Sequence, residues 1–562
     1  MKNKKQSRTQ KKYILLAFLI LVLILLRIPG LHTSYYQDEY KWPEIVAKNS
    51  TLAGTVPHPP LSEKIYVAAD RLFGNNNLRV MPFLFSIANA LLLYVIVEML
   101  FGVSEALLAV GIFAVSFYSV LASLMVDTDG QILPFYFLLA TLGYLKWKSS
   151  IGTHKKMWLA VFILSVVLGF LTKLSFIIPA GAFLLDYLYD YRSKLNKKRI
   201  LTTLSILAGA AALLFIALLN AHFIFKSFDF QTSFAYWIHF AKLSNRNYFQ
   251  TLIELTKSIL YLSPLLLLPL ILITKETLRK TRLFTIFISL GLVFYLVIFD
   301  FSGGALDRYF QFLIVPLCII AGPVLVQRYK NANRHISFEV FIGTIIFAFC
   351  IYAVQFVYHV APPLHPKSEW LGRILHMRWN FLFPFNGGSG PLGFYVSWLF
   401  MAIIWLFSLA LIVGIKYNHK LQKPLLFIFI VLGVLYNGMF IEEYMVGGIN
   451  GSSRTLLAHS LSYIQQDPSI HHVTTYNDIG GFELKQMGKY RKRLYIDPKF
   501  NIQDKIASLN KYKEYYLIIN IPQIDQDSVY AKYFNSCVPI SKEISGSISS
   551  VIYDCKKAPN IK

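Results

Sequence analysis

Residues 35–66 read YYQDEYKWPEIVAKNSTLAGTVPHPPLSEKIY, and shortly before them lies an apolar run, Tyr13–Ile28. At about 1.5 Å of rise per helical residue, that run suffices for one crossing of a ~30 Å hydrocarbon core. Lys2, Lys4, Lys5, Arg8, Lys11 and Lys12 precede it, and a dense basic tail is retained on the cytoplasmic side. Asp38 and Glu39 therefore emerge on the outer face, at the membrane surface, directly after the first span. Two adjacent carboxylates at that depth are unfavourable unless something uses them. The plainer alternative is a solvated loop start that caps the next helix.

Composition extends this reading to the whole chain. Of 562 residues, 55% are hydrophobic, 15% aromatic and only 15% charged, and the mean hydropathy is +0.49. This is the make-up of a polytopic membrane protein. The net charge of +25 does not signal nucleic-acid binding, because the basic residues fall in short clusters between apolar runs. No small-residue cleavage site follows the first run, so it reads as a retained anchor. Cys318 and Cys350 sit in apolar runs. Cys537 and Cys555 lie in the polar C-terminal part and can bond if that part is outside the cell. No cysteine or histidine spacing suggests a zinc site, so no metal ligand is assigned.

Twelve further apolar runs follow: Val80–Phe101, Ala106–Met125, Ile132–Trp147, Met157–Leu171, Leu174–Tyr189, Ile200–Asn220, Leu252–Thr274, Leu283–Phe299, Phe310–Val326, Phe338–Val360, Phe394–Ile415 and Pro424–Phe440. About thirteen crossings result. With that count the linkers carrying Lys146 to Lys156, Arg192 to Arg199, Lys275 to Arg282, Arg328 to Arg334 and Lys416 to Lys423 all fall inside, as the positive-inside rule requires. The point open to redrawing is Thr172-Lys173, between two closely spaced runs. Between the first two spans, Leu61, Ile65, Ala69 and Leu72 repeat at helical spacing, which predicts a short amphipathic helix on the membrane surface behind a rigid Thr55–Pro60 elbow. Long outer linkers rich in aromatic residues, with Trp237, Trp370, Trp379, His365, His376 and the glycine-rich stretch 386–390, read as binding loops or interface belts. From about Val446 the composition changes to alternating strand-like and helix-like pieces. The chain thus reads as a mainly α membrane domain, 1–445, with an outer loop at 30–77, followed by a small extracytoplasmic α/β domain, 446–562.

Collected by topology, the outer face holds Asp38, Glu39, His58, Asp127, Asp129, Lys173, Asp307 and Arg308. Two activities need acids and bases at the ends of hydrophobic spans: group transfer from a lipid phosphate, and ion-coupled transport of a lipid or polysaccharide. A non-catalytic scaffold displaying the outer domain is a third reading. Transport places its acids mid-span, often on broken helices; here they lie at span ends, which favours an enzyme. For transfer, an acceptor hydroxyl needs a general base, for which a carboxylate serves. The departing phosphate needs cations where negative charge develops, for which arginine and lysine serve.

Five segments taken in order carry a resemblance: Tyr36-Gln-Asp-Glu-Tyr40, His58-Pro-Pro-Leu61, Val126-Asp-Thr-Asp-Gly130, Gly169-Phe-Leu-Thr-Lys173 and Asp307-Arg-Tyr-Phe-Gln-Phe-Leu-Ile-Val-Pro316. Over roughly residues 13–330 the chain resembles the GT-C membrane glycosyltransferases, and within them the protein O-mannosyltransferases and lipid A aminoarabinose transferases. The resemblance implies a GT-C fold in the cell membrane and transfer of a sugar from a polyprenyl-phosphate donor to a hydroxyl of a protein, lipid or glycan. It implies Asp38 as base, Glu39 as its positioning neighbour and Asp129 as the further acid of the catalytic set. The substrate-binding set is Lys173 and Arg308 on the phosphate, with His58, Asp127 and Tyr309. The bilayer is a partner and nucleic acid is not. No cofactor is specified, and a divalent cation is left open; Asp127-Thr-Asp129 has the form of a metal-binding Asp-x-Asp, but the nucleotide fold that goes with that motif is missing. Plainer readings stand beside these: Lys173 snorkelling from a span end, and Arg308 pairing with Asp307 or Asp300.

Overall fold

In a computed structural model the described residues are 2–36, 39, 41–47, 59–192, 209, 212–213, 215–221, 223, 228–241, 247–300, 306–332, 336–358, 363, 365, 369–378, 395–494 and 502–561. Two compact units divide the chain: Met1–Leu31 with Lys41–Asn331, and His32–Tyr40 with Ala332–Lys562. The division by packing thus falls elsewhere than the shift in composition near residue 446. The second unit takes in the last membrane helices and a short piece of the stretch between Leu25 and Pro60.

The first unit is helical: α1 Lys2–Leu25, α2 Lys41–Ala47, α3 Pro60–Phe73, α4 Val80–Leu100, α5 Val103–Val115, α6 Phe117–Leu124, α7 Ile132–Ser149, α8 Thr153–Thr172, α9 Ile177–Tyr191, α10 Phe230–Phe240, α11 Tyr248–Leu267, α12 Arg282–Val293 and α13 Ile314–Lys330. Among the described residues of the whole chain, eight helices are long and apolar enough to cross a membrane, and nine if the bent pair α5–α6 is one span. The runs expected at Ile132–Trp147, Leu174–Tyr189 and Leu283–Phe299 are helical too, but α7 carries Lys146 and Lys148 and the other two helices are short. The run Ile200–Asn220 lies largely outside the described residues. Thr172-Lys173 does separate two helices: Lys173 is extended (φ −159°, ψ 138°) between α8 and α9.

A 64° bend separates α5 from α6, because Ser116 is extended (φ −64°, ψ 121°). A helix broken inside a membrane leaves carbonyls that no water can satisfy. Arg27, inside the run read above as apolar, answers them. Its guanidinium donates to the Ala114 and Phe113 carbonyls at 3.0 and 3.4 Å, and to Ser123 and Ser119 Oγ at 2.8 and 3.0 Å. Helix α3 forms as expected, yet its buried face is Ser62, Glu63, Tyr66 and Ala69, while Leu72 is 70% exposed. Of the expected apolar stripe, Ala69 is buried, Leu61 and Ile65 are half-buried and Leu72 faces outward, so the side that packs on the protein is largely polar and aromatic. At the opposite end of α7 from residue 131, Lys148 and Arg282 pair with Asp186 and Asp190, and Tyr144 donates to Asp186 at 2.8 Å.

The second unit has three long apolar helices, α14 Phe338–Val354, α15 Trp398–Tyr417 and α16 Gln422–Met445, and then an α/β region. That region runs α17 Ser453–Gln466, β1 Val473–Tyr476, α18 Gly481–Gln486, β2 Tyr490–Leu494, α19 Ile502–Lys511, β3 Tyr515–Ile519, α20 Val529–Asn535, β4 Val538–Ser545 and β5 Ile548–Asp554. The strand order is β2-β1-β3-β5-β4. The first three are parallel, and β5 and β4 run antiparallel to their neighbours. Strand β3 is buried throughout because both faces of the sheet are covered. Leu517 and Ile519 meet Leu457, Leu461 and Ile464 of α17 on one face, whereas Tyr516 and Ile518 meet Leu509, Tyr533 and Phe534 on the other. Cys537 and Cys555 form a disulfide across the ends of β4 and β5. Trp370 is buried, its Nε1 donating to the His365 carbonyl at 3.1 Å, which removes it from the interface belt. The side chain of Trp237, Trp379 and the stretch 386–390 lie outside the described residues.

Candidate active site

The loop between α6 and α7 carries Asp127 and Asp129, and its backbone is fixed from several sides. Tyr66 OH donates to the Asp127 carbonyl at 2.8 Å, and Asn89 Nδ2 to the Gln131 carbonyl at 2.9 Å. The Arg79 guanidinium donates to the Leu124 carbonyl. Gly130 lets the loop close on α6: a Cβ there would sit 2.5 Å from the Ala122 carbonyl oxygen and 2.9 Å from Gln311 Oε1. Of these supporting residues, Asn89 and Arg79 were not singled out from the sequence. The one available signal was a polar residue in an otherwise apolar stretch.

Within this frame both acids meet a cation from a distant part of the chain. Arg308 Nε donates to Asp127 Oδ2 at 2.6 Å, and the Thr128 amide donates to Asp127 Oδ1, also at 2.6 Å. Lys173 Nζ pairs with Asp129 Oδ2 and lies over the Tyr309 ring, 5.0 Å from its centroid. Tyr309 in turn stacks on Tyr295 at 5.4 Å. Asp127 and Lys173 are each only 1% exposed. A lysine so buried and paired is not snorkelling, and Arg308 pairs with the distant Asp127.

The two acids differ electrostatically. Burial pushes the Asp127 carboxyl up, but the charge and hydrogen bond of Arg308 outweigh it and hold the group well below the usual carboxylate range. Burial dominates at Asp129 and raises it, with the pull of Lys173 only partly offsetting. Burial opposes charge on Arg308, and Asp127 more than compensates, so its guanidinium is held charged. Such opposed shifts in one cleft mark a functional site more often than a purely structural one. A cleft opens beside Asp129, walled by Leu133, Pro134, Phe137, Ile178, Pro179, Phe287, Phe312 and Val315, with Ser175, Tyr295 and Tyr309 as its other polar groups. An apolar wall with a few convergent polar groups is the usual form of a small-ligand site.

Asp127, Asp129, Lys173, Arg308 and Tyr309 are thus brought together in the first unit. Asp38 and His58 lie outside the described residues, and so does the Asp307 side chain. Glu39 belongs to the second unit, where it is buried; its Oε2 accepts from the Tyr36 amide at 2.9 Å. One buried ion pair has no counterpart in the sequence reading: Lys257 donates to Glu254 at 3.0 Å on α11.

The family model of the dolichyl-phosphate-mannose-protein mannosyltransferases matches residues 57–221. No curated protein matches the sequence. Among solved structures, ArnT from Cupriavidus metallidurans in the apo state is similar with a TM-score of 0.54 at 14% identity, over 97% of this chain and 98% of that one. The same protein bound to undecaprenyl phosphate gives a TM-score of 0.52 at 13% identity, over 96% and 97%. In fold and in this shared segment the chain resembles the GT-C superfamily of membrane glycosyltransferases. Within that class the likeness runs to the mannosyltransferases and aminoarabinose transferases.

Proposed function

We propose that this protein is an integral-membrane glycosyltransferase that moves a sugar from a polyprenyl-phosphate donor to an acceptor hydroxyl on the extracytoplasmic face. The observation that carries the reading is the buried double ion pair, Asp127 with Arg308 and Asp129 with Lys173, beside an aromatic-walled cleft. Without ligand the two cations are balanced by two acids. A donor phosphate offers the same kind of acceptor oxygens and can take over both cations as its charge grows on leaving. Lys173 and Arg308 bind it there, and Tyr309 faces the same group. Asp127 keeps Arg308 aimed, and Asp129, lining the cleft, keeps Lys173 in place. Asp38 takes the proton of the acceptor hydroxyl, with Glu39 beside it in the chain. The acceptor oxygen attacks the anomeric carbon, the bond from that carbon to the phosphate oxygen breaks, and polyprenyl phosphate leaves. In-line attack inverts the carbon.

The Cys537–Cys555 disulfide supports an outer location for the C-terminal region, because it fits an oxidising compartment. Within the first unit, the acid loop and the Lys148–Arg282 charge cluster lie at opposite ends of α7, which at about 1.5 Å per residue is close to one bilayer thickness. The test is purified protein in detergent with labelled polyprenyl-phosphate sugars and a panel of hydroxyl acceptors. Transfer of label without any sealed compartment is the expected result. Movement of the lipid only across sealed vesicles, with no new glycosidic bond, would overturn the reading.

A further inference from the structure

Lys173 has a second hold besides Asp129. Its ammonium lies over the face of the Tyr309 ring, 5.0 Å from the centroid, inside the ~6 Å over which a ring quadrupole attracts a cation. The same ring stacks on Tyr295, with centroids 5.4 Å apart and planes 17° from parallel. Tyr295 is 3% exposed. Lys173, Tyr309 and Tyr295 all belong to the first unit, and both tyrosines line the cleft beside Asp129.

Tyr295 is itself built into place. It lies in a π-helical turn, Phe294–Ile298, that continues α12, and the Phe299 amide donates to the Phe294 carbonyl at 3.0 Å to close it. Single π-turns within helices are frequent at functional sites. Phe312 packs on the Tyr295 ring at 5.5 Å and is met edge-on by Phe287, also at 5.5 Å. Gly291 leaves the room that Phe312 fills: a Cβ there would fall 2.2 Å from its ring. Support thus runs from α12 and Phe312 through Tyr295 to Tyr309 and the ammonium.

We infer that Tyr295 is a positioning residue of the donor site: it fixes the Tyr309 ring, whose face holds the Lys173 ammonium while a donor phosphate replaces Asp129 as its counter-ion. The inference rests on the transfer reading above. Its physical reason is competition. Lysine carries its charge on a flexible four-carbon stem, so the ammonium stays in place only against a fixed partner. Asp129 is such a partner, but it competes with the phosphate for the same charge. A ring face attracts the cation without a net charge of its own, and burial keeps that attraction from being diluted by water. Tyr309 thus acts through its ring, and Tyr295 acts through Tyr309.

The experiment uses the full-length protein in detergent with two probes, polyprenyl phosphate and the uncharged polyprenol. Tyr295→Leu should weaken polyprenyl-phosphate binding about tenfold and leave polyprenol binding near wild type. Tyr295→Phe, which keeps the ring, should recover most of that loss. A second series preserves the packing. Taking Tyr309→Phe as the reference, mono-, di- and trifluorinated phenylalanines at position 309 withdraw charge from the ring face at nearly constant volume. Polyprenyl-phosphate Kd should rise with each fluorine, roughly ten- to thirtyfold across the series, the size of a desolvated cation–ring attraction. A flat series, equal losses for both probes in Tyr295→Leu, or Tyr295→Phe as weak as Tyr295→Leu would each overturn the inference. If wild-type protein binds polyprenyl phosphate no better than polyprenol, the transfer reading fails and the inference with it. If wild type discriminates and the fluorine series is flat, only the role of the ring has failed.

Discussion

At the scale of single residues, the first unit's site is a pair of buried ion pairs in which charge and burial compete. Replacing Arg308 by alanine would leave Asp127 buried and uncompensated, a loss of about 3–5 kcal/mol that would mix stability with function. Arg308→Lys keeps the charge and removes the planar fork. It should weaken donor binding about tenfold, or about 1.4 kcal/mol, with little change in melting temperature; calorimetry with a polyprenyl-phosphate sugar checks this. Asp38→Asn should abolish turnover while expression and donor binding persist, and near-wild-type transfer by it would refute the base assignment. A third expectation follows from the depressed Asp127 carboxyl. A group whose pKa is lower folded than unfolded stabilises above the unfolded value, about 3.9, and that stabilisation is lost as pH falls through the folded value. The melting-temperature gap between wild type and Asp127→Asn should therefore be constant through neutral pH and shrink below about pH 4. A gap that closes already at neutral pH would contradict the assignment.

At the scale of elements, the bent pair α5–α6 shows how a break in a span is made tolerable and then used. The 64° bend turns α6 back so that its C-terminal end delivers the loop carrying both acids. Arg27 satisfies the carbonyls that the bend frees and ties α6 down through Ser119 and Ser123. Arg27→Met is of similar length and cannot donate. It should destabilise by about 1–3 kcal/mol for each buried acceptor left unpaired, seen as a clear drop in melting temperature in detergent. The acid loop should shift with α6, so turnover should fall as well. A variant as stable as wild type would show that water or another donor replaces the guanidinium.

At the scale of the whole chain, the membrane helices and the sheet region are distributed over two packing units that do not coincide with the compositional boundary. The stretch between α1 and α3 is divided between them, with His32–Tyr40 in one and Lys41 onward in the other. Sidedness is the property to test at this scale. In intact cells, a membrane-impermeant thiol reagent should label a cysteine introduced by Ile544→Cys, a position 67% exposed on strand β4. Labelling that requires permeabilised membranes would place the disulfide region inside and reverse the topology.

The amino-acid sequence by itself determined the class and the outline. Apolar runs long enough to span a bilayer, with lysine and arginine between alternate runs, set the membrane helices, because burying an unpaired charge in hydrocarbon is so unfavourable that the pattern has few solutions. The ordered segments around Asp38, Asp127-Thr-Asp129, Lys173 and Arg308 named the candidate chemistry, because acids and bases at span ends have few other uses. Only the tertiary structure decided the partners: Arg308 with Asp127, Lys173 with Asp129, Arg27 under the bend of α5–α6, Lys173 over Tyr309. Those pairings join positions from tens to hundreds of residues apart, and local propensity carries no term for a contact across such distance. They arise when packing excludes water and each buried charge or freed carbonyl must find whatever complement the fold brings within reach.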